Sequence, residues 1–187
     1  MKTGANALYI IRLAVTLLII TSVVAAALAA VNGVTGPIIA RKTAQKTRQA
    51  IEAVLPGGGE EMPDLPAVDF AGADLISKVY RGEKGYAVEV TPGGFDNTIT
   101  MMVGVGFEGE VLGIDIISHT ETAGMGAIAD AETPAGRAFR SQFAGAVDSV
   151  SVAKDGGTID SITGATITSR AICAGVNAAL HCVACLG

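Results

Sequence analysis

Apolar positions fall into three regimes along the chain. From Leu13 to Val31 they are almost continuous, broken only by Thr16, Thr21 and Ser22, and the stretch carries no charge. A run of that length predicts a helix that crosses a bilayer, set at residues 9–31 behind a short N-terminal segment at 1–8. Asn32-Gly33 ends it. From Pro37 the pattern becomes periodic. Ala40, Ala44, Thr47, Ile51, Val54 and Leu55 recur at helical spacing, with Arg41, Lys42, Gln45, Lys46, Arg48, Gln49 and Glu52 largely between them. This predicts a separate amphipathic helix, opened by Pro37 in its first turn and stopped by Pro56-Gly57-Gly58-Gly59. It packs on the following domain or lies near headgroups that its basic residues can touch. A solvated polar face is the plainer reading of those charges. Residues 32–58 are therefore read as helix and linker.

From residue 59 to 187 the period changes again. The acidic, proline-containing stretch 60–70 reads as a loop. Tyr86, Val88 and Val90 alternate with Ala87 and Glu89, which is strand patterning. Pro92-Gly93-Gly94 turns the chain. Thr98 to Val105 and Val111 to Ile117 are two more β-prone runs, joined by a hairpin turn at Glu108-Gly109. Short connections favour antiparallel pairing. Residues 118–130 form a glycine-containing loop. Pro134 to Phe143 reads as a short helix with Phe139 and Phe143 one turn apart. Thr158 to Ile162 reads as a last strand. A final helix runs from about Ile167 to near Cys185, with Ile172, Val176, Ala179, Leu180 and Val183 toward the core. The predicted fold class is α+β: a single N-terminal transmembrane helix, then an antiparallel sheet with flanking helices.

Charge narrows the partners. The whole chain sums to −5, and all 18 acids lie beyond the apolar run; residues 32–187 hold only 11 Lys and Arg. That excludes an extended nucleic-acid face, which needs clustered cations. The small residues Ala25 to Ala30 also suit a cleaved leader. The apolar stretch is longer than a typical leader core, so an anchor is expected. Lys2 and Arg12 precede the span, whereas Arg41, Lys42, Lys46 and Arg48 follow it. A bare positive-inside count therefore places the domain in the cytoplasm.

Candidate chemistry concentrates at Asp160-Ser161-Ile162-Thr163-Gly164-Ala165-Thr166, followed by Ile167-Thr168-Ser169. The segment puts hydroxyls and a glycine into a turn before a helix. Backbone N–H groups at a helix start bind anions, phosphate above all. An ordinary N-cap uses the same residue types. Cys182-Val183-Ala184-Cys185, with His181 and Cys173, is too little for a four-ligand metal site, so no metal is expected. A disulfide between Cys182 and Cys185 would need the helix end to fray; small packing residues are the plainer reading. His119 reads as a hydrogen-bonded loop histidine, and Met101 and Met102 as core filler.

Asp160, Thr163, Gly164, Ala165 and Thr166 carry a resemblance. Asp-x-x-(Ser/Thr)-Gly-Ala-Thr is similar to the flavinylation motif of bacterial FMN-binding domains. A second stretch, Glu121-Thr122-Ala123-Gly124-Met125-Gly126, resembles the Glu-Thr-Pro-Gly-Leu-Gly signature of the same domains, with Ala123 for Pro and Met125 for Leu. The resemblance implies FMN joined through its phosphate to the hydroxyl of Thr166 by a separate flavin transferase. Asp160 is then read by that transferase. Thr163, Gly164, Ala165, Thr168 and Ser169 line the phosphate, and Glu121, Thr122, Gly124 and Met125 meet the ring or ribityl chain. No residue is implied to be catalytic.

Anchor, amphipathic helix, domain and motif together resemble the G-subunit family of Rnf complexes, which couple electron flow between ferredoxin and NAD to ion movement. That implies an electron-relay subunit with residues 59–187 as the FMN-binding domain. It further implies one span in the cell (inner) membrane and a domain on the extracytoplasmic side, against the bare charge count. Its partners are the other membrane subunits and the flavin transferase. No glycine fingerprint for a dinucleotide sits between a strand and a helix, so direct NAD binding is not expected. The C subunit of the Na+-translocating NADH:quinone reductase shares anchor and motif but is usually longer. A stand-alone anchored flavoprotein and a non-redox anchored binding protein are the remaining readings.

Overall fold

The computed structural model describes residues 3–63, 70 and 72–186. The chain divides into two compact units, residues 1–44 and 45–187. One continuous helix, α1 (Thr3–Val54), covers both the predicted span and the predicted amphipathic helix. Asn32-Gly33 does not end it, and Pro37 lies inside it rather than at a new start. The physical cost is local. Proline withholds one N–H, from the carbonyl of Gly33, and its ring crowds that same carbonyl. In the first unit the apolar side chains face outward: Leu17, Leu18 and Val23 are each 64% exposed, as a lipid-facing helix requires.

The second unit is built on a five-stranded antiparallel meander in the order β1 to β5. The strands are β1 (Glu60–Glu61), β2 (Ile76–Arg81), β3 (Gly85–Val90), β4 (Thr100–Gly106) and β5 (Val111–Ser118). The last three follow the predicted runs, and the β4–β5 turn closes with Gly109 at φ 87°. Two strands differ from expectation. β2 lacks clean alternation and so gives no strand pattern along the chain. Part of the predicted 60–70 loop, Glu60–Glu61, pairs with Tyr80 and Arg81; positions 64–69 lie outside the described residues.

Both faces of the sheet are covered. On one face Val88, Val90, Met101, Val103 and Ile116 pack against α2 (Pro134–Ser141) and α3 (Thr166–Leu186), with Phe139, Phe143, Ile172 and Val176. On the other, Tyr80, Ala87, Met102 and Ile117 meet Ala50, Ile51, Val54 and Leu55 of α1. Only the last turns of the predicted amphipathic stripe are thus buried; Ala40 and Ala44 are exposed. Lys46 Nζ donates to the Ile117 carbonyl at 3.2 Å beside that contact. α2 starts as a capped helix should: Thr133 accepts from the Gly136 N–H at 3.2 Å, and Pro134 occupies the first turn.

The predicted strand at Thr158–Ile162 is absent. Ile159 makes a single parallel bridge to Val152, because the 3₁₀ turn Ala153–Asp155 and Gly156 (φ 87°) fold the segment back sharply. Two side-chain amides hold the irregular chain instead. Asn177 brackets the backbone of Val150 at 2.7 and 2.9 Å. Gln142 brackets that of Asp160 at 2.7 and 3.3 Å.

α3 runs unbroken through Cys182 and Cys185, so the frayed end that a disulfide would need is not there. Cys173 and Cys182 are buried, and burial pushes each thiol up to about 11. Since the thiolate is the reactive form, a neutral-pH thiol reagent is expected to modify Cys185 alone in the native protein and all three after denaturation. Rapid native modification of Cys182 would contradict this packing.

Candidate functional site

The motif forms a β-turn that launches α3. The Ala165 N–H donates to the Ile162 carbonyl at 2.9 Å, with Gly164 third in the turn at φ 78°. That left-handed conformation is the reason for glycine here. Ala165 then caps the helix, since its carbonyl accepts the first helical hydrogen bond, from Ser169 N at 3.0 Å. The N–H groups of Thr166, Ile167 and Thr168 therefore lack a carbonyl one turn back. Ser169, expected from sequence to face the phosphate, is not among the free donors; its N–H is engaged.

A cavity of about 280 Å³ opens at this helix start. Gly164, Ala165, Thr166 and Thr168 line it together with Glu121, Thr122, Met125 and Gly126. The two signatures, far apart in sequence, thus form one site. Phe95 and Ile167 complete an apolar rim with Met125; the three are 67%, 50% and 50% exposed. Lys154 supplies the cation, its Nζ donating to Thr166 Oγ1 at 3.0 Å.

Several predicted residues have other tasks. Ser169 is fully buried; its hydroxyl accepts from the Ile162 N–H and donates to the Ala165 carbonyl, both at 3.0 Å, locking the turn from behind. Thr163 and Asp160 lie in a neighbouring groove beside Phe139 and Gln142 rather than in the cavity. Gly124, at φ 77°, shapes the loop without lining the cavity.

Glu121 belongs to the framework. It is 8% exposed. One carboxylate oxygen accepts from the N–H groups of Phe95 at 2.8 Å and Asp96 at 3.3 Å; the other accepts from the Thr168 hydroxyl at 2.6 Å. A Cβ at Gly94 or at Gly126 would collide with this carboxylate, so both positions must lack one. The carboxylate therefore ties the Phe95 turn, the second signature and α3 together. His119 Nδ1 accepts the Glu121 N–H at 3.2 Å, and its Nε2 lies 3.7 Å from Asp130. Below the loop, Arg140 of α2 donates to the carbonyls of Ala129 and Ala131 at 2.8 and 3.3 Å.

Phe95, Lys154 and Ile167 carry no signal of this role in the sequence. A lone lysine in a short 3₁₀ turn and a lone phenylalanine after two glycines have no local signature. Gly126 closes the second stretch, and only its collision distances reveal why a glycine is needed there.

The arrangement suits a flavin nucleotide. A hydroxyl, free helix N–H groups and an ammonium meet around Thr166, which suits a phosphate. The apolar rim of Phe95, Met125 and Ile167 suits an aromatic ring system.

Comparison with known proteins agrees. The FMN-binding domain family matches residues 94–181. The G subunit of the ion-translocating oxidoreductase complex of Yersinia pestis is 34% identical over 169 residues, covering 82% of this chain and 80% of the relative. The G subunit of the Na+-translocating ferredoxin:NAD+ oxidoreductase complex of Acetobacterium woodii is 30% identical over 92% of this chain and 90% of its own. The proton-translocating counterpart from Clostridium ljungdahlii is 31% identical over 82% and 80%.

Proposed function

This chain belongs to the G-subunit family of ion-translocating oxidoreductase complexes, and from that premise we propose that it is the membrane-anchored electron carrier of such a complex. It carries one FMN, joined by a phosphoester to Thr166. The observation that carries the reading is the meeting of the Thr166 hydroxyl, Lys154 and the open start of α3 in one cavity whose lining also includes Phe95 and Met125. Bound FMN supplies reversible electron transfer, because that chemistry is the cofactor's own.

The chain's residues hold and orient it. Thr166 fixes the phosphate, with the N–H groups of Ile167 and Thr168 as further donors. Glu121 keeps the Phe95 turn and α3 in register, so that Phe95, Met125 and Ile167 present apolar surface to the ring. α1 anchors the domain by a single span, with the domain on the extracytoplasmic side. Ferredoxin and NAD+ chemistry falls to other subunits. Relatives of a sodium- and a proton-translocating complex match this chain at similar identity; both are G subunits of ferredoxin:NAD+ oxidoreductase complexes, so the likeness does not depend on the coupling ion. A separate flavin transferase makes the phosphoester, reading Asp160 in its exposed groove, where Gln142 pins the backbone.

The direct test is the intact mass of the full chain produced with its transferase. The reading expects a gain of one FMN less one water; no gain in a folded sample would reject it. Gly164 offers a second test. Its absent Cβ would meet nothing nearer than Met125 Cγ at 3.9 Å, so the constraint is the positive φ rather than space. Gly164→Ala is therefore expected to destabilise by about 1–2 kcal/mol, and Gly164→Val by more, since a β-branched residue tolerates φ > 0 worst. Loading should fall in the same order. Equal stability of wild type and Gly164→Val in thermal melts would contradict the turn geometry.

A further inference from the structure

We propose that Lys154 selects a phosphorylated flavin over an unphosphorylated one, and that the Asp155–Arg170 ion pair is the strut that positions it. The inference rests on the flavin reading of the cavity and assigns a specificity-determining cation to its phosphate end. Three observations carry it. Lys154 is the cation among the residues lining the cavity, and its ammonium already touches the oxygen proposed to carry the phosphate. The next residue, Asp155, takes a bidentate grip from Arg170, at 2.6 and 2.7 Å. Thr166 and Arg170 are one helical turn apart on α3, so the two contacts seat the whole 3₁₀ turn Ala153–Asp155 along one helix face.

The charges agree with that division of labour. The Arg170 guanidinium holds the Asp155 carboxyl below its ordinary range, chiefly by hydrogen bonding, and Asp155 holds Arg170 up in return. The strut is thus present above the ordinary carboxylate range and is lost only as pH falls through the lowered value. Asp155 is consumed by Arg170, which leaves the neighbouring ammonium available to an incoming anion. Glu121, the acid that lines the cavity, is occupied by two backbone N–H groups and the Thr168 hydroxyl. A phosphate beside Thr166 would therefore face a cation and free helix N–H groups, whereas the ring and ribityl chain of riboflavin gain nothing from Lys154.

The test separates phosphate recognition from general damage. The full-length Thr166→Ala protein, which cannot load covalently, is titrated with FMN and with riboflavin by fluorescence. It is expected to prefer FMN. Adding Lys154→Met should weaken FMN by about tenfold, the scale of one charge-assisted hydrogen bond, and move riboflavin by less than about twofold. Lys154→Arg should restore much of the preference. Arg170→Ala should erode it by less, with little change in melting temperature, because the pair is exposed.

Equal weakening of both flavins, an FMN preference unchanged in Lys154→Met, or a Thr166→Ala parent that binds no FMN would each overturn the proposal. The flavin reading is scored separately, by the covalent mass gain of the protein with Thr166 intact. Loss of selectivity and loss of the attachment site are therefore distinguishable.

Discussion

Thr166→Ala, produced in full length beside the flavin transferase, is expected to carry no covalent FMN. Its intact mass should equal that of the bare chain, and its in-gel fluorescence should vanish. Thr166→Ser, which keeps the hydroxyl, should still load. The fold should survive. Thr166 is half-buried at the first position of α3, and its hydroxyl makes one contact, with an exposed lysine. Losing that contact costs under about 1 kcal/mol. The nearby hydroxyls are poor substitutes. Thr168 is 1% exposed and committed to Glu121, Ser169 is fully buried, and Thr163 opens onto the neighbouring groove. A covalent flavin that persists in Thr166→Ala would therefore remove both the attachment assignment and the role given to the cavity.

Glu121→Ala should produce the largest loss of stability of any single change at the site. The carboxylate accepts three hydrogen bonds, from Phe95 N, Asp96 N and Thr168 Oγ1, in a slot shaped by Gly94 and Gly126. Truncation leaves those donors without their acceptor and opens a polar void between three segments. Hydrogen bonds to a charged group are worth about 1.5–3 kcal/mol each at most, with incomplete additivity, so a loss of about 3 kcal/mol is expected. For a domain of this size that is a fall in melting temperature of roughly 10 °C. Glu121→Gln keeps one acceptor oxygen for the backbone donors and should lose about 1 kcal/mol. Flavin loading should fall with Glu121→Ala as the Phe95 turn loosens from α3. Were the alanine variant to melt with wild type, the carboxylate would not be the tie described here.

Much of the molecule is legible along the chain because it depends on local pattern. A charge-free apolar run of bilayer length reads as a span whatever follows it. Strands β3 to β5 announce themselves by alternation and turn residues, and α3 by its period. The turn at Thr163–Gly164 is written locally too, since the positive φ found there demands glycine. The elements that escape lack a local signal. β2 alternates poorly, and Thr158–Ile162 has strand-like residues but no partner in register beyond Ile159. Pro37 reads as a helix start because a proline breaks most helices, yet the break costs one hydrogen bond inside a 52-residue helix.

The anchor, the α+β class, the motif turn and the family follow from contiguous residues, because span length, periodicity and a glycine-bearing signature are properties of neighbours in the chain. Which of the predicted site residues share a cavity depended on packing. Folding withdraws Ser169 to the back of the turn, moves Thr163 and Asp160 to a separate groove and makes Glu121 a framework carboxylate. It also brings in Lys154 and Phe95 from segments with no motif of their own. Hydrogen-bond partners and electrostatic neighbours are set by which segments pack together, and the span from Phe95 to Thr168 closes only once α3 lies across the sheet.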